Sequence, residues 1–424
     1  MTSKLAKVIL VSYVIIHTVD GHFCNTTFPF KPFKIPPQLD LDYFYPPNQL
    51  LNKPEKLLQD IASQPEAILV RGNSVFVSAF GGRILEISKN FQKIRVLAKF
   101  GTECRGTFAE RECGRPLGMA FDTLGDNLIV VEPYFGIWLI NIPSGHRKLL
   151  VSLDLVIGGK VARRARSPNG VTVAQNGDIF WTDTSSDFVI EDGLKILLSN
   201  PSGRLIHYSR FTEKNLVLMD GLFGANGVTL STDEGFVLVA ELGGQMIRRF
   251  YLKGPKAGTA DVFMKGLPGG VDNIVGDVDG VWVPIVFPTD RQYPSIWAAL
   301  APQANYRSNL VREMCVMEAP VEALYKATGS ALALRATNFI GNMAIVQSLI
   351  SPRGVLLRVD WEGNILTVLY SDDQVVNRIS HATLMGNQLL LGSPVHPFIG
   401  RVKLPDEVMK IVAPSKFKGY WVLP

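Results

Sequence analysis

The chain has few cysteines, few histidines, no strong excess of either charge, and no apolar run long enough to span a bilayer in comfort. Its 424 residues include 4 Cys and 6 His, and 43 Lys and Arg set against 38 Asp and Glu leave a net charge of +5. So small a balance, with no basic block beyond Arg163-Arg164-Ala165-Arg166, excludes nucleic acid as a partner. That short cluster reads as a solvated loop. The lack of a matched set of histidines or thiolates argues against zinc. Apolar residues at 47% and charged residues at 19% exclude a disordered chain.

The apolar run at residues 8–19 follows Lys4 and Lys7 and is broken only by Ser12, His17 and Thr18. At about 12 residues it falls short of the ~20 a spanning helix needs. Residues 1–21 therefore read as a secretory signal peptide, with mature protein starting near Gly21 to Asn25 and lying in a secreted or lumenal place. The rival reading is an uncleaved signal anchor on a single-pass membrane protein. An oxidising compartment gives the cysteines a use. Cys104 and Cys113 enclose a short polar loop and are expected to form a disulfide, whereas Cys24 and Cys315 are left either paired or free. Asn25-Thr26-Thr27 is an N-glycosylation sequon, which makes Asn25 the expected acceptor.

Residues 22–60 carry Pro29, Pro32, Pro36, Pro37, Pro46, Pro47 and Pro54, and read as an extended lead-in that wraps the body or spaces it from a membrane. Beyond it a pattern repeats. Ser167-Pro168-Asn169-Gly170-Val171-Thr172-Val173 returns as Gly224-Ala225-Asn226-Gly227-Val228-Thr229-Leu230, and each copy runs on through a turn into an apolar β-type stretch. Looser copies begin at Pro65, Pro116 and Val271. Successive copies start roughly 45–57 residues apart, the period of propeller blades and solenoid repeats. Short runs such as Val75-Phe76-Val77 and Arg83-Ile84-Leu85-Glu86-Ile87 alternate with Gly, Asn and Asp turns. The expectation is an all-β chain, a six-bladed β-propeller over 61–404, with 405–424 as a C-terminal tail.

Residues 288–350 break the rhythm. Apolar spacing of three and four in 296–300 and 310–334 predicts helices, with no long amphipathic helix before about residue 288. This segment reads as a helical insertion in the fifth blade, either packing over the propeller face or serving as a lid or membrane-facing cap.

Overlaying the copies brings Glu66, Leu117, Asn169, Asn226, Asp272 and Ser380 to one register, where the innermost strand of each blade opens on the central channel. Carboxylate and amide oxygens there are what Ca²⁺ takes, six to eight at a time in a flexible shell. Glu66, Asn169, Asn226 and Asp272 are the expected metal ligands, completed by Asn273 and water. Asn-Gly is also a favoured turn dipeptide, so the two asparagines read as turn residues too. Glu132, Asp183 and Glu241, which end strand runs, read as turn or solvated residues.

The chain resembles the strictosidine-synthase-like family over about residues 60–403. The stretches that carry the resemblance are Cys113-Gly114-Arg115-Pro116-Leu117-Gly118, Phe236-Val237-Leu238-Val239-Ala240-Glu241 with Ile247-Arg248-Arg249, and Val271-Asp272-Asn273-Ile274. The resemblance implies a six-bladed propeller related to paraoxonases and Ca²⁺-dependent lactonases and phosphotriesterases, with Ca²⁺ bound by Glu66, Asn169, Asn226 and Asp272. It also implies an N-terminal membrane anchor in many animal members. Two departures matter. Where plant strictosidine synthases have a catalytic glutamate in the last blade, this chain has Ser380, so amine–aldehyde condensation is not expected. Where paraoxonases carry a second-blade histidine, it has Leu117. The expected function is Ca²⁺-dependent hydrolysis of a small ester or lactone, with Asp272 both a ligand and the base or nucleophile. The alternative is a non-catalytic, Ca²⁺-stabilised binding or receptor module.

Overall fold

The structure, a computed structural model, describes residue 26, residues 29–159 and residues 162–416. The leader 1–21, the expected acceptor Asn25 and the cysteine at 24 lie outside the described residues.

Six antiparallel sheets of four principal strands follow one another along the chain. The first runs from Ile68–Arg71 to Ile94–Lys99, the second from Met119–Phe121 to Arg147–Val151, and the third from Pro168–Val173 to Asn215–Leu222. The fourth runs from Ala225–Leu230 to Ala260–Lys265 and the fifth from Gly269–Val271 to Ile365–Ser371. The sixth takes three strands, His381–Met385, Gln388–Gly392 and Ile399–Lys403, and borrows its fourth from Glu55–Leu57. There Glu55 pairs with Arg401 and Leu57 with Ile399, so one blade is built from both ends of the fold. The proline-rich lead-in thus ends inside the propeller. Before that it runs along the outside, with Leu39 N–H donating to Gly266 O at 2.8 Å and Leu51 N–H to Tyr370 O at 3.0 Å.

The strands alternate inward and outward residues, and each sheet buries both faces against its neighbours. The apolar cores accordingly lie between blades. Ile84 and Phe76 of the first blade pack with Leu128 and Val130 of the second. Val237 and Val239 of the fourth pack with Phe180 and Leu205 of the third. Ile68 and Val77 of the first pack with Leu390 and Ile399 of the sixth. That last contact closes the ring.

The helices of the third and fifth blades lie on the side of the ring where second strands connect to third strands. Helix α1 (Gly193–Leu198), with a 3₁₀ turn at Ile190–Asp192, sits in that connection of the third blade. At six residues it is not a long amphipathic helix and is too short to show a helical period. In the fifth blade the same connection carries α2 (Ile296–Leu300), α3 (Ala304–Thr328), α4 (Ala331–Gly341) and a 3₁₀ stretch, Met343–Leu349. Gly329 ends α3 at φ 65°, the left-handed conformation that glycine adopts without a Cβ penalty. Ser330 caps α4 by accepting from Ala333 N–H. A last helix, α5 (Asp406–Val412), packs Val408, Met409 and Val412 onto the core between the fifth and sixth blades.

Glu132, Asp183 and Glu241 are not solvated. All three are buried at the ends of second strands. Each accepts a backbone N–H from the segment entering its own blade: Arg115 N to Glu132 Oε1 at 2.5 Å, Ser167 N to Asp183 Oδ1 at 2.9 Å and Phe223 N to Glu241 Oε2 at 2.8 Å. The same acid clasp is used in three consecutive blades. Asp183 is further paired with the buried Arg204 at 2.7 Å, and Arg204 donates to the carbonyls of Arg163 and Arg164. The basic cluster is therefore tied down as the short strand Arg163–Arg164 and is not a free loop.

Candidate metal centre

The six register positions stand at the entrances of the innermost strands. Glu66 and Leu117 lie two residues ahead of Ile68–Arg71 and Met119–Phe121, Asp272 follows Gly269–Val271, and Ser380 precedes His381–Met385. Asn169 and Asn226 lie inside their strands, not in turns. In both strands the ladder skips at the Asn-Gly pair, between Pro168 and Val171 and between Ala225 and Val228. A bulge of this kind bends the strand and re-aims a side chain. The glycines serve close approach: a Cβ on Gly170 would lie 2.6 Å from Asn226 O, and one on Gly227 would lie 2.5 Å from Asp272 O.

Glu66, Leu117, Asn169, Asn226 and Asp272 line one cavity of about 410 Å³ on the helical side of the ring. The four polar members are all buried. Three oxygens among them have no hydrogen-bond partner: Asn169 Oδ1, Asn226 Oδ1 and Asp272 Oδ1. Buried polar atoms are rarely left unpaired, and each such atom costs roughly 1–3 kcal/mol. Orphaned amide and carboxylate oxygens in one concave site are the donor set of a hard cation such as Ca²⁺, and the residues present fit it. Among the described residues no cluster of three or more His, Cys, Asp or Glu side chains could hold a metal; half of the donors here are amides.

Asn273 and Ser380 take a different part. Asn273 Nδ2 donates to Glu66 Oε1 at 3.2 Å and to Glu66 O at 3.3 Å, and Ser380 Oγ donates to Glu66 O at 3.4 Å. In this arrangement both hold Glu66 in place, and neither lines the cavity.

Four charged residues in the cavity escaped the sequence reading, Glu110, Arg115, Glu191 and Arg378. Arg115 donates Nη1 to Gln64 O at 2.9 Å, places Nη2 3.4 Å from Glu66 Oε2 and Nε 3.7 Å from Glu110 Oε1. Arg115 stands two residues before the register position Leu117, inside the motif that carried the family resemblance. Glu110 sits in the loop closed by Cys104 and Cys113, which are joined with Cα atoms 5.1 Å apart. Cys315, on α3, is also disulfide-bonded.

Burial dominates the electrostatics. It raises Asp272 well above the usual carboxylate range; the nearby Glu66 raises it further, while the Asn226 amide and Arg115 pull it back. Burial also raises Glu66 and Glu110, and Arg115 opposes both shifts. Glu66, Glu110 and Asp272 therefore crowd one another, with the Arg115 guanidinium near Glu66 and Glu110, a charge pattern that a divalent cation would relieve.

The walls are apolar: Ile196 and Leu197 of α1, Leu242, Val286 and Phe287. The outer rim comes from the insertion, through Asn338 and Phe339 of α4 and Asn342, Met343 and Gln347 beyond it. Nothing in the spacing of 288–350 marked these as cavity residues, because they reach the site only through the tertiary placement of the insertion.

Fold and site together define a six-bladed β-propeller with a helical cover and a carboxylate–amide centre at the mouth of its channel. The strictosidine synthase family model matches residues 169–255. The adipocyte plasma membrane-associated protein hemomucin of Drosophila melanogaster is 37% identical over 397 residues, covering 93% of this chain and 68% of its own. The adipocyte plasma membrane-associated protein of Rattus norvegicus is 31% identical over 363 residues, covering 84% of this chain and 88% of its own. The chain belongs to the strictosidine-synthase-like family, among its adipocyte plasma membrane-associated proteins. Among solved structures, a calcium-binding regucalcin from Agrobacterium tumefaciens is similar at 11% identity and a TM-score of 0.49, covering 84% of this chain and 96% of its own. A putative gluconolactonase is similar at 11% identity and a TM-score of 0.48, covering 88% of this chain and 97% of its own. Among the described residues no helix is long and apolar enough to cross a membrane.

Proposed function

We propose that the chain is a Ca²⁺-dependent hydrolase of small esters or lactones, held at a membrane. The observation that carries the reading is the convergence of Asn169 Oδ1, Asn226 Oδ1 and Asp272 Oδ1, all buried and unpartnered, on one apolar-walled cavity. Glu66, Asn169, Asn226 and Asp272 are the residues to hold the ion. Bound there, Ca²⁺ supplies Lewis-acid polarisation of an ester carbonyl.

The remaining work falls to the chain itself. Asp272, a cavity carboxylate at the proposed ion site, is the group placed to accept a proton from the attacking water. Asn273 and Ser380 fix Glu66, and Arg115 offsets the charge of Glu66 and Glu110. Ile196, Leu197, Val286 and Phe287 exclude water and favour an apolar acyl or alkyl portion. Ser380 supplies no carboxyl in the last blade, so amine–aldehyde condensation lacks its acid/base. The relatives' name places them at the plasma membrane, which favours the signal-anchor reading of residues 1–21 over the cleaved leader.

The test is turnover of phenyl acetate and small lactones by the purified chain, with and without chelator, beside Asp272→Asn. Chelator-sensitive turnover that Asp272→Asn loses at saturating Ca²⁺ is the expected result. Ca²⁺ binding with no turnover on a broad panel would replace the hydrolase by a binding module.

A further inference from the structure

The helical insertion carries no Asp or Glu from residue 323 to residue 359. Within 288–350, Glu313 is the one fully exposed acid, and it lies on α3 away from α4 in sequence. The surface that follows is apolar and basic. On α4, Leu332 is 78% exposed and Phe339 63% exposed, with Arg335 exposed between them. Spacing of three and seven puts these three residues on one helix face. The next stretch adds Ile345 and Leu349. Such a patch on a surface helix marks an interaction site.

Where the chain enters the body bears on what covers this patch. The described part begins beside the same insertion. Thr26 Oγ1 donates to Asp187 Oδ2 at 2.9 Å, Arg307 of α3 donates Nη2 to Lys31 O at 2.7 Å, and Phe30 packs with Val311 and Met314 of α3. The described chain therefore begins, at Thr26, on the helical side of the fold. An anchor there would turn the insertion, and not the far hairpins, toward the bilayer. Phe339 and Gln347 also rim the cavity.

We infer that the α4 face formed by Leu332, Arg335 and Phe339, with Ile345 and Leu349, docks on a bilayer surface containing anionic lipid and opens the cavity toward it. The inference rests on the membrane-held reading above and is independent of hydrolysis. A helix with apolar side chains beside a basic one, and no acid, lies in the headgroup region with its apolar side down. Arg335 meets anionic headgroups.

The test places a fluorophore on each side of the ring. Phe339→Trp reports the helical side. Phe211→Trp reports the opposite side, because Phe211 is 96% exposed in the turn joining the third and fourth strands of the third blade. Each full-length variant is mixed with phosphatidylserine–phosphatidylcholine vesicles containing brominated lipid, and wild-type fluorescence is subtracted. The added indole of F339W should be quenched and that of F211W should not. Arg335→Gln in the F339W background should lower the vesicle partition constant, read from quenching across a lipid titration at low ionic strength, about fivefold, since one basic residue near the surface contributes that factor. Adding salt to F339W should act in the same direction. If the chain floats with vesicles but F339W stays unquenched, or F211W is quenched equally, the docking face is wrong while membrane attachment stands. If the chain does not float with vesicles at all, both are wrong. F339W shielded by a co-purifying protein, with no effect of bromine, would give the face to a protein partner and overturn the inference.

Discussion

Asp272 and Asn226 meet across the seam between the fourth and fifth blades. The Asn226 amide lowers the proton affinity of the Asp272 carboxyl, yet each residue keeps one Oδ1 buried and unpartnered. Two such atoms side by side are costly in a folded core, and the cost is offset if a cation takes both.

Asn226→Ala should therefore weaken Ca²⁺ binding without unfolding the blade. The strand Ala225–Leu230 keeps its ladder, and the variant loses one amide oxygen and one unsatisfied atom together. An ion that binds only the folded ring stabilises it by about 2.7 kcal/mol at a hundred times Kd. Calorimetric titration should show a weaker Kd for Asn226→Ala. Chelation should lower the melting temperature of the wild type and do so less in the variant. A variant that binds Ca²⁺ as tightly as the wild type removes Asn226 from the site.

Gly227→Ala should damage the site more than Asn226→Ala, although it removes no ligand. Its Cβ would meet Asp272 O at 2.5 Å and Asn273 Cα at 2.6 Å, both on the neighbouring blade. Backbone cannot yield as a flexible side chain does, so the fourth and fifth blades must part. Overpacking of this kind costs about 1–3 kcal/mol. Both thermal stability and Ca²⁺ affinity should fall together. Wild-type affinity in a destabilised Gly227→Ala would show that the seam does not set the ligand spacing.

The Asn-Gly pairs also show what was legible in the sequence. Their repetition gave the blade period and the register that brings Glu66, Asn169, Asn226 and Asp272 to one cavity. As dipeptides they read equally as hairpin turns, and only the pairing of the strands shows them as bulges with the glycine pressed against the next blade. Residue pattern records period two along a strand, and it does not record what lies across a seam. Glu132, Asp183 and Glu241 were misread for the same reason: an acid at a strand end looks solvated until the segment it clasps is seen. Arg115 and Glu110 lay within view of the register, next to Leu117 and inside the Cys104–Cys113 loop. The rim from α4 had no local signal. The borrowed strand Glu55–Leu57 is three residues long, below what alternation can resolve among prolines.

Acid should destabilise the ring through His381. Its Nε2 lies 2.8 Å from Ile68 O and donates to it, while Nδ1 is buried without a partner. Burial depresses the imidazole from 6.5 to about 4. Between those values the unfolded chain binds a proton that the folded chain refuses. The stability is fully present above pH 6.5 and is lost as pH falls toward 4, by at most about 3 kcal/mol. His381→Gln keeps a donor for Ile68 O and has nothing to titrate. Urea midpoints followed across that window should fall more steeply in the wild type than in His381→Gln. Equal slopes would mean that His381 takes up its proton within the fold.

The Cys104–Cys113 disulfide should steady the helical insertion as well as its own loop. The loop carries Arg105, Glu110, Arg111 and Glu112, and three of these reach the insertion. Tyr325 OH donates to Glu112 Oε1 at 2.7 Å, Arg105 Nη1 donates to Gly329 O at 3.0 Å, and Arg111 is 2.9 Å from Glu322 while also pairing with Glu191. The contacts with Glu322, Tyr325 and Gly329 fall on the last part of α3 or the residue that ends it. Opening a loop this short removes about 2–3 kcal/mol of closure entropy from the stability. That loss alone would leave α3 and α4 as protected as before against local opening. If the loop is their mooring, the double substitution of Cys104 and Cys113 by Ala should also raise amide hydrogen exchange in the second half of α3 and in α4, with the blades unchanged. Tyr325→Phe and Glu112→Gln, with the disulfide intact, should reproduce part of the exchange and little of the loss in stability, because exposed and half-exposed contacts contribute little to global unfolding. Exchange that rises uniformly through the ring, or not at all in the insertion, would confine the disulfide to its own loop.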